Sequence, residues 1–254
     1  MSIAGDSRAA RAARFRPYFN LQLRFAEAMT VGGEVLAASV TRNTNLHRRF
    51  GFGRIRDGKC APEWAGYLDL LASAGTHEAR LNATCDFFLQ CKDEELPATE
   101  AAFGCFSFEP PDVNGAVRIH FGSRGGGSAG PLARENMAAR LRELRAMFAY
   151  IRVVHPETSS VRGGSWLYRV EAYRRLFPAA YIASCTPAHG LTRFDGTSSW
   201  GQFLNRQGDV KPELRDIFLR NLEVLDPSCA ENAFPLPAMR AEASIADFYE
   251  FYGE

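Results

Sequence analysis

The apolar positions change period several times along the chain, and each change predicts an element. From Pro62 the residues Trp64, Leu68, Leu71 and Ala72 recur every three or four positions. That is the stripe of an amphipathic helix, opened by a first-turn proline and closed at Gly75. Thr76 is placed to cap a second helix with Leu81, Cys85, Phe88 and Leu89 on one face. Residues 7–25 carry Arg8, Arg11, Arg14, Arg16 and Arg24. They predict a basic amphipathic helix, broken near Pro17, that serves as a terminal arm. Residues 34–41 hold Val35, Leu36 and Val40 after a glycine turn and read as a strand. The polar, arginine-rich stretch 43–58 reads as loop.

The period then shortens to two. In "AAFGCFSFEPPDVNGAVRIHFG" two alternating runs flank Asn114-Gly115, the preferred pair for a tight type I′ hairpin. On the second run Val117, Ile119 and Phe121 share one face, and Arg118 and His120 the other. Helical spacing returns with Met137, Leu141, Leu144, Phe148 and Ile151, and His155-Pro156 ends it. Residues 160–168 read as a strand, 170–177 as a short helix and 181–185 as a further strand. Residues 200–204 and 212–225 read as helix, the latter with Leu214, Phe218 and Leu222 on one side. The aromatic, acidic stretch 245–252 reads as a segment that docks on the core. This order predicts an α/β (α+β) fold, a layered mixed sheet with flanking helices behind a mainly helical N-terminal half. The expected division is a basic helical arm over 1–30, a mainly helical part over 31–100, an α/β core over 101–226 and a docking tail over 227–254.

Composition narrows the classes. The chain has 254 residues, 46% hydrophobic and 23% charged, with net charge +1. No apolar run reaches the roughly 20 residues a bilayer-spanning helix needs. The charge is uneven: residues 113–195 hold twelve arginines against five acids, so that stretch is net +7 and the rest net −6. A basic middle suits an anionic ligand, while the low overall charge and the absence of a recognised module speak against nucleic acid. The six cysteines form no CxxC pair and no apolar leader precedes them. Free thiols in a cytoplasmic protein are the expectation. The five histidines fall into no metal-ligand spacing, so no metal is expected. Cys185, with His189 four residues on, has the composition of a thiol nucleophile and base, without an accompanying oxyanion motif.

Between the second strand of the hairpin and the long helix runs Arg124-Gly125-Gly126-Gly127-Ser128-Ala129. Consecutive glycines let a backbone approach an anion closely, and amides at a helix start hold phosphate oxygens. No Gly-Lys-Ser/Thr follows, which rules out a Walker loop, and the G-x-G-x-x-G spacing of a dinucleotide fold fails. The segment resembles the cofactor loop of the GNAT (N-acetyltransferase) superfamily, Q/R-x-x-G-x-G/A, with Arg124, Gly127 and Ala129 at the three defining positions. The order hairpin, loop, long helix, strand, short helix, strand over residues 101–186 is similar to that family as well. "VEAYRRLFPAAYI" resembles its A-x-x-x-Y-x-x-x-G-F region, with Phe177-Pro178 in place of Gly-Phe. The resemblance implies an acyl-CoA-dependent acyltransferase acting on an amine or similar small nucleophile. Arg124 to Ala129 would hold the pyrophosphate, and Tyr173 would stand at the position of the family's tyrosine acid. His120, on the strand that leads to the loop, is the candidate general base. The alternative is a non-catalytic accessory or binding protein that works with a partner enzyme.

Overall fold

The computed structural model describes residues 8–31, 33–55, 60–91, 101–122, 129–191 and 193–254. Along the chain come helices α1 (Arg8–Thr30), α2 (Leu36–Asn43), α3 (Leu46–Arg49), α4 (Pro62–Ser73) and α5 (His77–Gln90). Strands β1 (Ala102–Phe103), β2 (Phe106–Glu109) and β3 (Ala116–Phe121) follow, then α6 (Met137–Val154) and β4 (Ser160–Ser165). The rest is α7 (Glu171–Arg174), α8 (Ala179–Ala183), β5 (Thr186–Pro187), α9 (Thr197–Trp200), α10 (Pro212–Glu223), β6 (Met239–Ser244) and α11 (Ile245–Tyr252). The chain forms two compact units. One joins Met1–Pro97 to His189–Pro237, and the other joins Ala98–Ala188 to Ala238–Glu254. The boundary expected at residue 226 therefore falls elsewhere: 189–226 belongs with the N-terminal helices, and the expected tail is divided between the units.

In the helical unit α1 is the central element, not an arm. Tyr18, Phe19, Leu21, Leu23 and Phe25 are all fully buried. Pro17 lies inside the helix, which continues through it. An interior proline costs about 3 kcal/mol. Each of those five buried side chains contributes roughly 1.5–3 kcal/mol, so packing outweighs the defect. α2 occupies the stretch that reads as a strand. Leu36 and Val40 stand one turn apart, and Ser39 Oγ donates to Ala26 O of α1 at 2.7 Å. Thr44 Oγ1 donates to Val40 O at 2.6 Å. A run this short satisfies either period, and contact with α1 selects the helix. The single turn of α3 lies in the stretch that reads as loop, where Leu46 and His47 are buried. α4 and α5 form where the stripes place them; Thr76 Oγ1 accepts from Ala79 N at 3.2 Å. Trp200 closes this core. Its Nε1 donates to Phe194 O at 2.6 Å and Asn43 O at 3.2 Å, and its ring packs edge-on against Phe25, Phe218 and Phe234.

The sheet unit has six strands in the order β1-β2-β3-β4-β6-β5. β2 and β3 are the expected hairpin, paired antiparallel from Phe106–Phe121 to Glu109–Arg118. Its turn is longer than a two-residue type I′ connection. Gly115 N donates to Asp112 O at 2.8 Å and Asp112 N to Ala116 O at 3.0 Å. Gly115 holds φ 73°, the left-handed position that closes a three-residue hairpin loop. α6 begins at Met137, after a 3₁₀ turn over Arg134–Asn136, so the glycine run does not lead straight into its first turn. Its stripe is as expected: Leu144, Met147, Phe148 and Ile151 are fully buried. The expected strand over 181–185 is instead α8, and only Thr186–Pro187 pair as β5. β6, unexpected from sequence, lies between β4 and β5. Ala241 and Ala243 point to the core, and Arg240, Glu242 and Ser244 are exposed. α11 follows directly, burying Ile245, Phe248 and Tyr252. No helix among the described residues is long and apolar enough to cross a membrane.

Candidate functional site

β3 and β4 run parallel, joined through α6. They hold register for three pairs only: Ala116–Ser160, Val117–Val161 and Arg118–Arg162. β3 then continues to Phe121 paired with β2 alone, and β4 continues to Ser165 paired with β6 alone. Past Arg118 and Arg162 no further residues of β3 and β4 pair with each other. In sequence the glycine run comes after β3, within 123–128, outside the described residues.

The pleat sends alternate side chains to opposite faces. Val117, Ile119 and Phe121 belong to the core cluster with α6 and α11. Arg118 and His120 therefore stand on the other, open face. His120 Nε2 is 2.9 Å from Glu109 Oε1, a carboxylate on the neighbouring strand β2. Glu109 thereby fixes the orientation of the ring. No motif marks Glu109, because its role depends on the cross-strand contact that the hairpin register creates. Asp112 and Glu242 both pair with Arg162 on this face. Gly164, on β4, is exposed, and a Cβ there would meet nothing within 4 Å.

Tyr173 lies on the core face. It is 2% exposed, and its ring stands edge-on to Phe121 at 5.5 Å and to Tyr168 at 5.4 Å. His120 and Tyr173 are thus not side by side but on opposite sides of β3. Burial, reinforced by Tyr168, holds the Tyr173 hydroxyl well above its ordinary pKa. Two further tyrosines, absent from the sequence-based candidates, complete the cluster: the hydroxyls of Tyr168 and Tyr181 are 2.6 Å apart and buried. Burial raises both, and their mutual proximity adds to the effect on Tyr168. Both hydroxyls pack against Gly163, where a side-chain carbon would collide with them. No local signal marks this pair, because its members meet only through the turn over Trp166–Arg169 and α7.

Of the residues expected to form a cofactor loop, Arg124, Gly125, Gly126, Gly127 and Ser128 lie outside the described residues. Ala129 is half-buried, ahead of a turn in which Ala133 N donates to Gly130 O at 2.9 Å. The other candidates are accounted for locally. Burial pushes the Cys185 thiol up, away from nucleophilic use, and His189 Nδ1 is 3.1 Å from Glu231 Oε1. All six cysteines are free. No group of three or more His, Cys, Asp or Glu side chains among the described residues is arranged to hold a metal. A shallow recess of about 320 Å³ between β1 and α6, lined by Phe103, Gly104, Arg142 and Glu143, contains none of the candidate residues. The chain matches no family model, no curated protein and no solved structure.

Proposed function

We propose that the sheet unit is an acyl-CoA-dependent acyltransferase acting on an amine or similar small nucleophile, with a GNAT-like core. The observation that carries this reading is the parallel β3–β4 pair, which keeps register for three residues and then parts. Past those three pairs the edges of the two strands no longer take each other as partners. The pantetheine arm of CoA is an extended chain with two amides, and it can pair there as a strand would. The glycine run that follows β3 in sequence would receive the pyrophosphate, with Arg124, Gly125, Gly126, Gly127, Ser128 and Ala129 supplying amides and charge.

A thioester lying in the gap is approached from two sides. On the open face His120, oriented by Glu109, accepts the proton of the attacking amine. On the core face Tyr173, at the position of the family's tyrosine acid, would return a proton to the departing sulfur. Base and leaving-group partner on opposite sides of the sheet suit acyl transfer, where the nucleophile enters and the thiolate departs along different directions from the carbonyl carbon. The bare Gly164 position leaves room for the acceptor beside β4.

Calorimetry with CoA tests the reading. Wild type should release binding heat. Gly127→Trp should abolish it with the circular dichroism spectrum unchanged, and Arg124→Ala should weaken binding by about 1–3 kcal/mol, as loss of a charge-assisted contact does. No heat on wild type would remove the transferase and favour a non-catalytic binding protein.

A further inference from the structure

Three arginines of the helical unit converge on one buried carboxylate. Arg48 lies in α3, Arg54 follows it in the chain, and Arg193 and Asp195 precede α9. The Asp195 side chain is only 7% exposed, whereas all three arginines reach the surface. Arg193 takes the short contact, Nε to Asp195 Oδ2 at 2.9 Å, and its Nη2 donates to Ile55 O at 2.9 Å. Arg48 Nη2 stands 3.9 Å from Oδ1 and Arg54 Nε 3.9 Å from Oδ2. Both are near enough for attraction and too far for a hydrogen bond to Asp195. Arg48 Nε is also buried without a hydrogen-bond partner among the described residues. Three positive charges thus share one negative charge.

We propose that Arg48, Arg54 and Arg193 form a binding site for a phosphate monoester, seated on the solvent side of Asp195. Like charges brought together repel, and Asp195 offsets only one of the three. A phosphate monoester carries close to two negative charges at neutral pH, which matches the remainder. Its oxygens accept from guanidinium N–H groups in paired, planar contacts. Asp195, beneath the arginines, gathers them and engages Arg193, and the anion takes the N–H groups of Arg48 and Arg54 that Asp195 does not reach. Arg42, whose carbonyl accepts from Phe194 N at 2.7 Å, pairs instead with Glu34 at 3.1 Å. His47, next to Arg48 in α3, is fully buried. Burial, with Arg48 and Arg193 adding to it, lowers its pKa to about 4, so the neutral ring adds no charge to the site and senses charge placed there. The site lies within the helical unit and is independent of the acyltransferase reading of the sheet unit.

The test titrates inorganic phosphate into the full chain at constant ionic strength. The ring signals of His47, assigned by their loss in His47→Phe, are followed by NMR. In wild type they should move saturably over the millimolar range. Arg48→Gln and Arg54→Gln should each weaken binding about tenfold. Arg215→Gln, which removes an exposed arginine of α10 paired with Asp216, should leave it unchanged. Methyl phosphate should bind as inorganic phosphate does, and dimethyl phosphate, with one charge fewer, several-fold more weakly. Thermal melts control for folding, and Arg54→Gln, at the most exposed of the three side chains, decides the matter if Arg48→Gln does not fold. The site is overturned by an immobile His47 signal, by equal binding in wild type and Arg54→Gln, or by an equal loss in Arg215→Gln. Dimethyl phosphate binding as tightly as methyl phosphate would overturn the assignment to a monoester. Gly127→Trp should keep phosphate binding, so this site and the CoA reading fail separately.

Discussion

His47 gives the helical unit a pH dependence whose sign and size follow from its surroundings. It lies in α3 and is fully buried. Its Nδ1 is 2.6 Å from Gly53 O, a carbonyl that can only accept, so Nδ1 carries the proton. Nε2 is buried without a hydrogen-bond partner among the described residues, beside the edge-on ring of Trp64 at 5.7 Å. Burial is the main cause that lowers its pKa from 6.5 to about 4, and the positive charges of Arg48 and Arg193 add to it. In the unfolded chain the ring titrates near its ordinary value. Above that value both states are neutral and the group has no effect on stability. As pH falls from there toward 4, the unfolded chain takes up a proton that the folded one refuses, and stability is lost. A shift of this size corresponds to about 3 kcal/mol at about 1.36 kcal/mol per pH unit. His47→Phe removes the titration and the unpartnered nitrogen, at the loss of one hydrogen bond. Urea unfolding of wild type and variant at about pH 7.5 and about pH 4 measures the difference. The wild type should lose about 2–3 kcal/mol more than the variant over that interval. The other histidines contribute equally to both proteins and cancel. Parallel pH dependences would show that the folded state accepts the proton at His47 after all, and would refute the account of its burial.

Two further outcomes follow from the packing. Gly163→Ala should destabilise the sheet unit by about 1–3 kcal/mol, because the new carbon overlaps the hydroxyls of Tyr168 and Tyr181; a melting curve superimposable on wild type would contradict this. Trp200→Phe should cost about 1–3 kcal/mol in urea unfolding, since the carbonyls of Phe194 and Asn43 lose a buried donor; a change within experimental scatter would mean that water replaces the indole.

What is legible in the sequence is what local period and local chemistry decide. The stripe of α6, the Thr76 cap and the alternation of β2 and β3 each concern residues a few positions apart, and their side chains bury the same way whatever the wider fold. The alternation by itself also puts His120 and Phe121 on opposite faces of β3. Short runs are not decidable alone. Residues 34–41 and 181–185 carry too few apolar positions to separate the two periods, and α1 in one case and the tyrosine cluster in the other select helix. β6 is invisible in the sequence because its inward residues, Ala241 and Ala243, are too small to signal burial, and its place between β4 and β5 depends on strands remote in sequence. Residues 189–237 join the helical unit because Phe194, Trp200, Phe203, Phe218 and Phe234 complete the aromatic core around Phe25. The candidate site divides the same way. The glycine run and Tyr173 can be read as motifs. The parting of β3 from β4, and the approach of two hydroxyls thirteen residues apart to Gly163, belong to the tertiary structure, because they depend on how segments remote in sequence pack against one another.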